Sequence, residues 1–273
     1  MLSYTDQDGN TLPIEFLNFP AGETHLKNYN VSDVTTHIDI KLDFENNGDM
    51  INLLHFDQLA QINGLRYNLI CPYFPAGRQD RIENKSESFS LLSYVAVIKA
   101  LGNMDKLEIA DPHSDVLPAV LPLNTEILYQ HDILYDLLSK TLISKHDSIV
   151  LVAPDKGASK KILKNATFLN QMGYNVIDIL QADKIRDYES GQIVKTSVEQ
   201  KEITSHTHLI VVDDICDGGR TFVELGKVLN QQYPDNSLKL FVSHGIFSKG
   251  LSELQQYYDQ INAYWKHPTY NKQ

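Results

Sequence analysis

Three carboxylates, Asp213, Asp214 and Asp217, fall within five positions, and Gly218-Gly219-Arg220-Thr221 follows them directly. Each carboxylate accepts hydrogen bonds from hydroxyls, so an adjacent pair suits a vicinal diol. Glycines let a backbone approach its ligand closely, and the free N–H groups at a helix start hold anions. The acids would repel a phosphate, so the two halves of the motif must serve two parts of one ligand. A phosphate beside a diol is a ribose 5-phosphate. Such a site needs a strand to deliver the acids and a helix to receive the turn. The apolar run Leu209 to Val212 reads as a strand buried on both faces, ending at the acid pair. Phe222 to Leu229 is amphipathic and reads as the helix. An ordinary acidic surface turn is the plainer alternative, and three Asp residues followed at once by two glycines argue against it.

Other segments carry donors and acceptors at expected strand exits. Cys71-Pro-Tyr-Phe-Pro-Ala-Gly-Arg-Gln-Asp-Arg81 supplies two guanidinium forks, Arg78 and Arg81, suited to phosphate oxygens, with Gln79 able to bond a base or ribose. By itself this is equally a solvated turn. Asp111-Pro-His-Ser-Asp115 puts His113 between carboxylates, where it binds a metal, donates to phosphate when protonated, or belongs to a capping loop. Asp155, ahead of Gly157, is placed to hold a divalent cation or to cap the helix after it. Lys184 and Arg186 sit in a polar stretch, Gln181 to Ser205, and read on their own as surface charges. His206 and His208 have the spacing of a zinc pair, but no Cys or third His lies near them.

The elements that must position these residues form an alternating pattern. Leu12 to Phe19 is extended, and Phe19-Pro-Ala-Gly-Glu23 turns. Val34, Thr36, Ile38, Ile40 and Leu42 share one face of a strand. Met50 to Phe56 is an apolar run leading into a short helix, Asp57 to Ile62, and Arg66 to Cys71 is a further apolar run. A helix over Phe89 to Leu101, a strand over Lys106 to Ala110, a strand over Thr125 to Tyr129 and a helix over Asp132 to Ser139 complete the first half. The layout then restarts: strand Ser148 to Ala153, helix Gly157 to Met172, strand Asn175 to Leu180, the motif, and strand Leu238 to Ser243. Strands alternating with helices imply parallel α/β sheets with right-handed crossovers. The repetition implies two similar domains, residues 1–144 and 145–273.

At 273 residues there is room for two domains. A net charge of −11 excludes general nucleic-acid binding, which needs a basic footprint, but not nucleotide binding. No apolar run is long enough to span a bilayer, and the first residues lack a basic-then-apolar signal. Two cysteines in or beside expected strands read as small buried residues of a reducing cytosol. A cytoplasmic protein is expected.

Taken in order, Phe19 to Glu23, Pro72 to Arg81, Asp111-Pro-His113, Ser148 to Gly157, Asp183-Lys-Ile-Arg186 and Asp213 to Thr221 resemble the ribose-phosphate diphosphokinase family over nearly the whole chain. The resemblance implies an α/β fold of two similar phosphoribosyltransferase-like domains, each a mostly parallel sheet flanked by helices. It implies ATP on Phe19, Glu23, Arg78, Gln79, Asp80 and Arg81, and magnesium at His113 and Asp155. It implies ribose 5-phosphate on Asp213, Asp214, Asp217, Gly218, Gly219, Arg220 and Thr221. Lys184, Arg186 and His113 would be catalytic, with Gln181 to Ser205 as a flexible loop that closes over the reacting groups. The reaction implied moves the β,γ-diphosphoryl group of ATP to the C1 hydroxyl of ribose 5-phosphate and releases AMP. A homo-oligomer, a dimer or larger, is implied too.

The chain departs from the family pattern at four places. Arg220 stands inside the phosphate loop, Ala21 replaces an Asp near the adenine, and Ile185 replaces an Arg. After Arg81, Ile82 to Ser88 replaces a stretch rich in arginine that the family links to phosphate activation and nucleotide inhibition. Two alternatives stay open: a non-catalytic nucleotide-binding subunit of the same fold, and a phosphoribosyltransferase, which would need only one such domain.

Overall fold

The computed structural model describes residues 1–28, 37–186 and 193–272. Val34 and Thr36, expected in a strand, lie outside these. By its contacts the chain divides into two units, Met1–Leu128 with His267–Gln273, and Tyr129–Lys266.

The first unit contains β1 (Leu2–Asp6), β2 (Glu15–Asn18), β3 (Thr24–Asn28), β4 (His37–Leu42), α1 (Gly48–Asn63), β5 (Arg66–Cys71), α2 (Ser90–Ala100), β6 (Met104–Ala110), α3 (Val116–Val120) and β7 (Thr125–Leu128). Its sheet runs β1-β4-β5-β6-β7, with β1 antiparallel and every other pair parallel. Alternation fixes β4: Ile38, Ile40 and Leu42 are fully buried, each contributing about 1.5–3 kcal/mol by leaving water. β2 and β3 form a separate hairpin whose tip is the turn Phe19 to Glu23.

Residues 50–62, read from sequence as an apolar run and then a short helix, fold as the single helix α1. Met50, Leu53, Phe56, Asp57 and Ala60 are buried at steps of three and one, a helical stripe. A left-handed Gly64 with φ 64° stops it, its N–H bonding back to the last turn.

The second unit contains α4 (Gln130–Ser139), β8 (Ser148–Ala153), α5 (Ser159–Gln171), β9 (Asn175–Arg186), β10 (Ile193–Val198), β11 (His208–Cys216), α6 (Arg220–Gln232), β12 (Ser237–Gly245) and β13 (Gln260–Lys266). Its sheet runs β10-β9-β8-β11-β12-β13, all parallel except β10. Ile149 to Ala153 and Leu209 to Val212 are unbroken buried runs, as strands covered on both faces must be. The boundary expected after residue 144 falls earlier, because α4 packs on α5 and β12 and so belongs with the second unit.

Gln181 to Ser205, expected as a loop, is partly sheet. β9 continues to Arg186 and β10 returns antiparallel beside it, pairing Val198 with Ala182 and Thr196 with Lys184. Buried Ala182 and Val198 give this polar stretch enough apolar character to hold the pairing. Among the described residues no helix is long and apolar enough to cross a membrane.

Candidate functional site

In the second unit β8 passes through α5 to β9 on one side, while β11 passes through α6 to β12 on the other. Where neighbouring parallel strands send the chain off in opposite directions, a crevice opens at their carboxyl ends. Pairing of β11 with β8 ends at Val211 and Val152, yet pairing with β12 runs on to Cys216 and Gly245. Asp213 and Asp214 therefore stand on β11 beyond its last partner on β8, and Asp155 lies just past the end of β8. The strand expected to stop at the acid pair instead carries both acids, because β12 continues beside it.

Asp213 is half-buried and its Oδ1 accepts the Asp214 N–H at 3.0 Å. Asp214 is buried, and Nζ of Lys161 on α5 approaches its Oδ2 at 3.9 Å. Sequence reasoning missed Lys161. The available signal was its place in the first turn of the helix leaving β8, which topology directs toward the crevice. Asp155 is half-buried, and its Oδ1 accepts the Ala158 N–H at 3.2 Å, organising the turn into α5.

Asp217 and Gly218 form the turn, and Gly219 caps α6 with φ 75°. A side chain there would be strained, and its Cβ would lie 3.3 Å from Leu254. The helix starts at Arg220, two residues before the apolar pattern suggests, so Arg220 and Thr221 belong to its first turn. Gly219 accepts the N–H groups of Phe222 and Val223 at 2.9 and 3.0 Å. The N–H groups ahead of them have no intrahelical acceptor, the condition under which a helix start takes an anion. Arg220 is exposed.

Cys216 closes β11. Its carbonyl accepts the N–H groups of Ile246 and Phe247 at 2.8 and 3.1 Å, pinning the turn after β12 beside the glycine loop. Phe247 is buried with φ 50°, and its ring fills the space that any side chain at Gly245 would need. Burial, then the charges of Asp213 and Asp217, pushes the Cys216 thiol up to about 12. A small, mostly apolar cavity behind Asp213, between α4 and β12, has room for no more than a water molecule and is no substrate site.

In the first unit the two candidate loops leave the adjacent strands β5 and β6. The Ser114 hydroxyl donates to the Asp80 carboxylate and ties one loop to the other. Gln79 accepts the Leu91 N–H at 3.3 Å, fixing the loop to α2. Arg78, Gln79, Arg81 and His113 are exposed, and Arg81 pairs with Glu83 at 3.4 Å. Asp111, which precedes His113 by two residues, is buried with φ 33° and donates its N–H to Leu128 at 2.8 Å. Phe19 and Glu23 are exposed at the tip of the β2–β3 hairpin, where the Phe19 N–H donates to the Glu23 carbonyl at 2.8 Å.

The remaining sequence candidates divide as follows. Lys184 and Arg186 fall on the last residues of β9, and their side chains lie outside the described residues. Residues 187–192 of the expected loop lie outside them altogether. His113 and Asp155 belong to different units. Among the described residues no cluster of three or more His, Cys, Asp or Glu side chains is suited to a metal. His208 is engaged by Ser237 at 2.6 Å and Asp147 at 3.5 Å, a structural role, and His206 sits in a turn with φ 65°.

No family model matches the chain. It is 27% identical over 248 residues to the ribose-phosphate pyrophosphokinase of Thermococcus kodakarensis, a match covering 89% of the chain and 81% of that protein. A ribose-phosphate pyrophosphokinase of Mycoplasmopsis pulmonis is 24% identical over 211 residues, covering 75% of the chain and 60% of its own length. A putative ribose-phosphate pyrophosphokinase of Streptococcus pyogenes is 26% identical over 202 residues, and the chain spans 58% of it. The fold matches a phosphoribosylpyrophosphate synthetase from Mycobacterium smegmatis with a TM-score of 0.73 and 17% identity, over 94% of the chain and 87% of that structure. In sequence the chain is similar to ribose-phosphate pyrophosphokinases, and it shares along nearly its whole length the fold of a phosphoribosylpyrophosphate synthetase.

Proposed function

We propose that the protein transfers the β,γ-diphosphoryl group of ATP to the C1 hydroxyl of ribose 5-phosphate. The C1 oxygen bonds to the β-phosphorus, the bond from that phosphorus to the α-phosphate oxygen breaks, AMP leaves, and the hydroxyl proton passes to solvent. The observation that carries this reading is the pairing, at the crevice between β8 and β11, of a diol-accepting acid pair with a glycine-capped helix start. A second parallel sheet with its own tied loops at Asp80 and Ser114 favours a diphosphokinase over a phosphoribosyltransferase.

In this reading Asp213 and Asp214 accept from the 2- and 3-hydroxyls. The helix start from Gly219 to Thr221 holds the 5-phosphate, with Asp217 and Gly218 shaping the turn and Arg220 adding charge. Arg78, Gln79 and Arg81 follow the nucleotide phosphates and ribose, and Phe19 and Glu23 meet adenine. Asp80, on the same loop, holds it in place through Ser114. Lys184 and Arg186 bring positive charge to the transferring group, where preorganised charge is the main demand of phosphoryl chemistry.

Magnesium fits Asp155, because a hard cation takes one or two carboxylates and completes its shell with water and substrate phosphates. Bound there, it would neutralise phosphate charge. The imidazole of His113 is a poorer magnesium donor than an oxygen, and as a protonated donor it suits a phosphate oxygen better.

Phosphorus NMR of the protein with ribose 5-phosphate, ATP and magnesium tests the proposal. AMP and phosphoribosyl pyrophosphate should appear together. Ribose 5-phosphate binding without either product would point instead to a non-catalytic nucleotide-binding subunit. Lys184→Ala should remove turnover, by a hundredfold or more as is common for a lost transition-state charge, while calorimetry shows ribose 5-phosphate binding nearly unchanged. Retained turnover would take Lys184 out of the chemistry.

A further inference from the structure

The motif that reads as a phosphate loop has an electrostatic problem. A phosphate dianion seated against Gly218 and Gly219 lies beside Asp213, Asp214 and Asp217, in a chain whose net charge is already −11. A helix start offsets part of this, with the equivalent of about half a positive charge. Further cations close to the turn are needed.

The turn after β12 provides one. It is pinned to the end of β11 by the two hydrogen bonds to the Cys216 carbonyl, and buried Phe247 with φ 50° makes it bend sharply. The bend leaves Ser248 and Lys249 exposed against the glycine loop. Cδ and Cε of Lys249 lie 3.7 Å from the point where a side chain on Gly218 would begin, and Oγ of Ser248 lies 3.9 Å from it. The ammonium is one bond beyond Cε. Among the described residues no carboxylate pairs with Lys249 or with Arg220. The lysine stem thus lies over the glycine, and its charge remains available to a ligand in the turn.

Resting on the ribose 5-phosphate reading above, we propose that Lys249 supplies a phosphate contact from outside the motif and sets affinity for the 5-phosphate. It acts in substrate binding and is remote from the bonds that change. The contact would be equally strong before and after transfer, so it should appear in KM and leave kcat alone. Arg220 supplies the second cation on the opposite side of Gly219 along the chain.

The experiment is calorimetric titration of ribose 5-phosphate into the full chain and into Lys249→Met and Lys249→Arg, with steady-state AMP formation measured on all three. Lys249→Met should bind ribose 5-phosphate roughly tenfold or more weakly, the loss expected for one charge-assisted hydrogen bond. Its KM should rise with kcat nearly unchanged, and Lys249→Arg should recover most of the affinity. Added salt should weaken the wild type more than Lys249→Met. Equal binding by wild type and Lys249→Met would remove Lys249 from the site and leave the functional reading standing. A kcat loss that Lys249→Arg fails to restore would mean that the lysine shapes the turn instead. Failure of the wild type itself to bind ribose 5-phosphate would overturn both.

Discussion

Cys216 shows how closely single residues are fitted around the acid pair. Its side chain is fully buried, its carbonyl holds the neighbouring turn, and the carboxylates of Asp213 and Asp217 help to keep its thiol protonated. Cys71 is likewise buried, with its thiol pushed up by burial and then by Asp43. Only a thiolate reacts readily, so a disulfide reagent added to the native protein at pH 8 should release almost no chromophore. Both thiols should titrate after guanidinium denaturation. Fast reaction before denaturation would show that β11 opens at its end. The acids and glycines were legible as a candidate site because their types contradict an ordinary turn. Lys161 and Lys249 were not: the place of Lys161 in the first turn after β8 gains meaning only once the strand order is known, and a lysine in a turn has no distinguishing sequence context. Only the approach to Asp214 at 3.9 Å and to Gly218 marks them out.

Among the elements, α1 is the clearest case of tertiary structure deciding what local pattern leaves open. Its apolar residues form a run when read linearly, yet only a helix brings Asp57 into the interior with Leu53 and Phe56. There the carboxylate accepts the Tyr67 hydroxyl at 2.8 Å and the N–H groups of Gly102 and Asn103 at 3.0 Å each. A helix, a strand and the turn between α2 and β6 thus share one acceptor. Removing it leaves the buried Tyr67 hydroxyl unsatisfied, at about 1–3 kcal/mol, and takes the acceptor from two partly buried N–H groups. Asp57→Ala should therefore lose about 2–4 kcal/mol in chemical denaturation. A change below about 0.5 kcal/mol, as for an ordinary surface site, would mean that water replaces the carboxylate at no cost. The long apolar runs of β8 and β11 were readable because burial on both faces leaves no alternative. β1, β13, β10 and the extension of β9 past Leu180 were not. Edge strands face solvent on one side and carry mixed sequences, so their pairing is fixed by the neighbour and not by their own pattern.

At the scale of the molecule, repetition of strand and helix revealed two sheets of similar design, and the comparison fold has the same architecture. The crevice at β8 and β11 could not be read from sequence, because a reversal of strand order is a property of connections. Nor could the division of the chain, which leaves the first unit after Leu128 and rejoins it at His267. Pro268 in that returning segment is buried, and the Tyr270 N–H donates to the His267 carbonyl at 2.9 Å. Removing residues 267–273 should raise hydrogen exchange in β4, β5 and β6 and leave β8, β11 and β12 protected. Equal loss in both sets of strands would mean that the units open as one.

This return also dictates an order of events during synthesis. On the ribosome the first sheet emerges early, but the piece that completes its unit is made only after all of β8 to β13. Until then the amino-terminal half must wait with part of its surface uncovered, while the second unit already has every strand it needs. A chain truncated after Lys266 and released would thus carry a finished second unit and an unfinished first one, which makes the amino-terminal half the natural client for a chaperone.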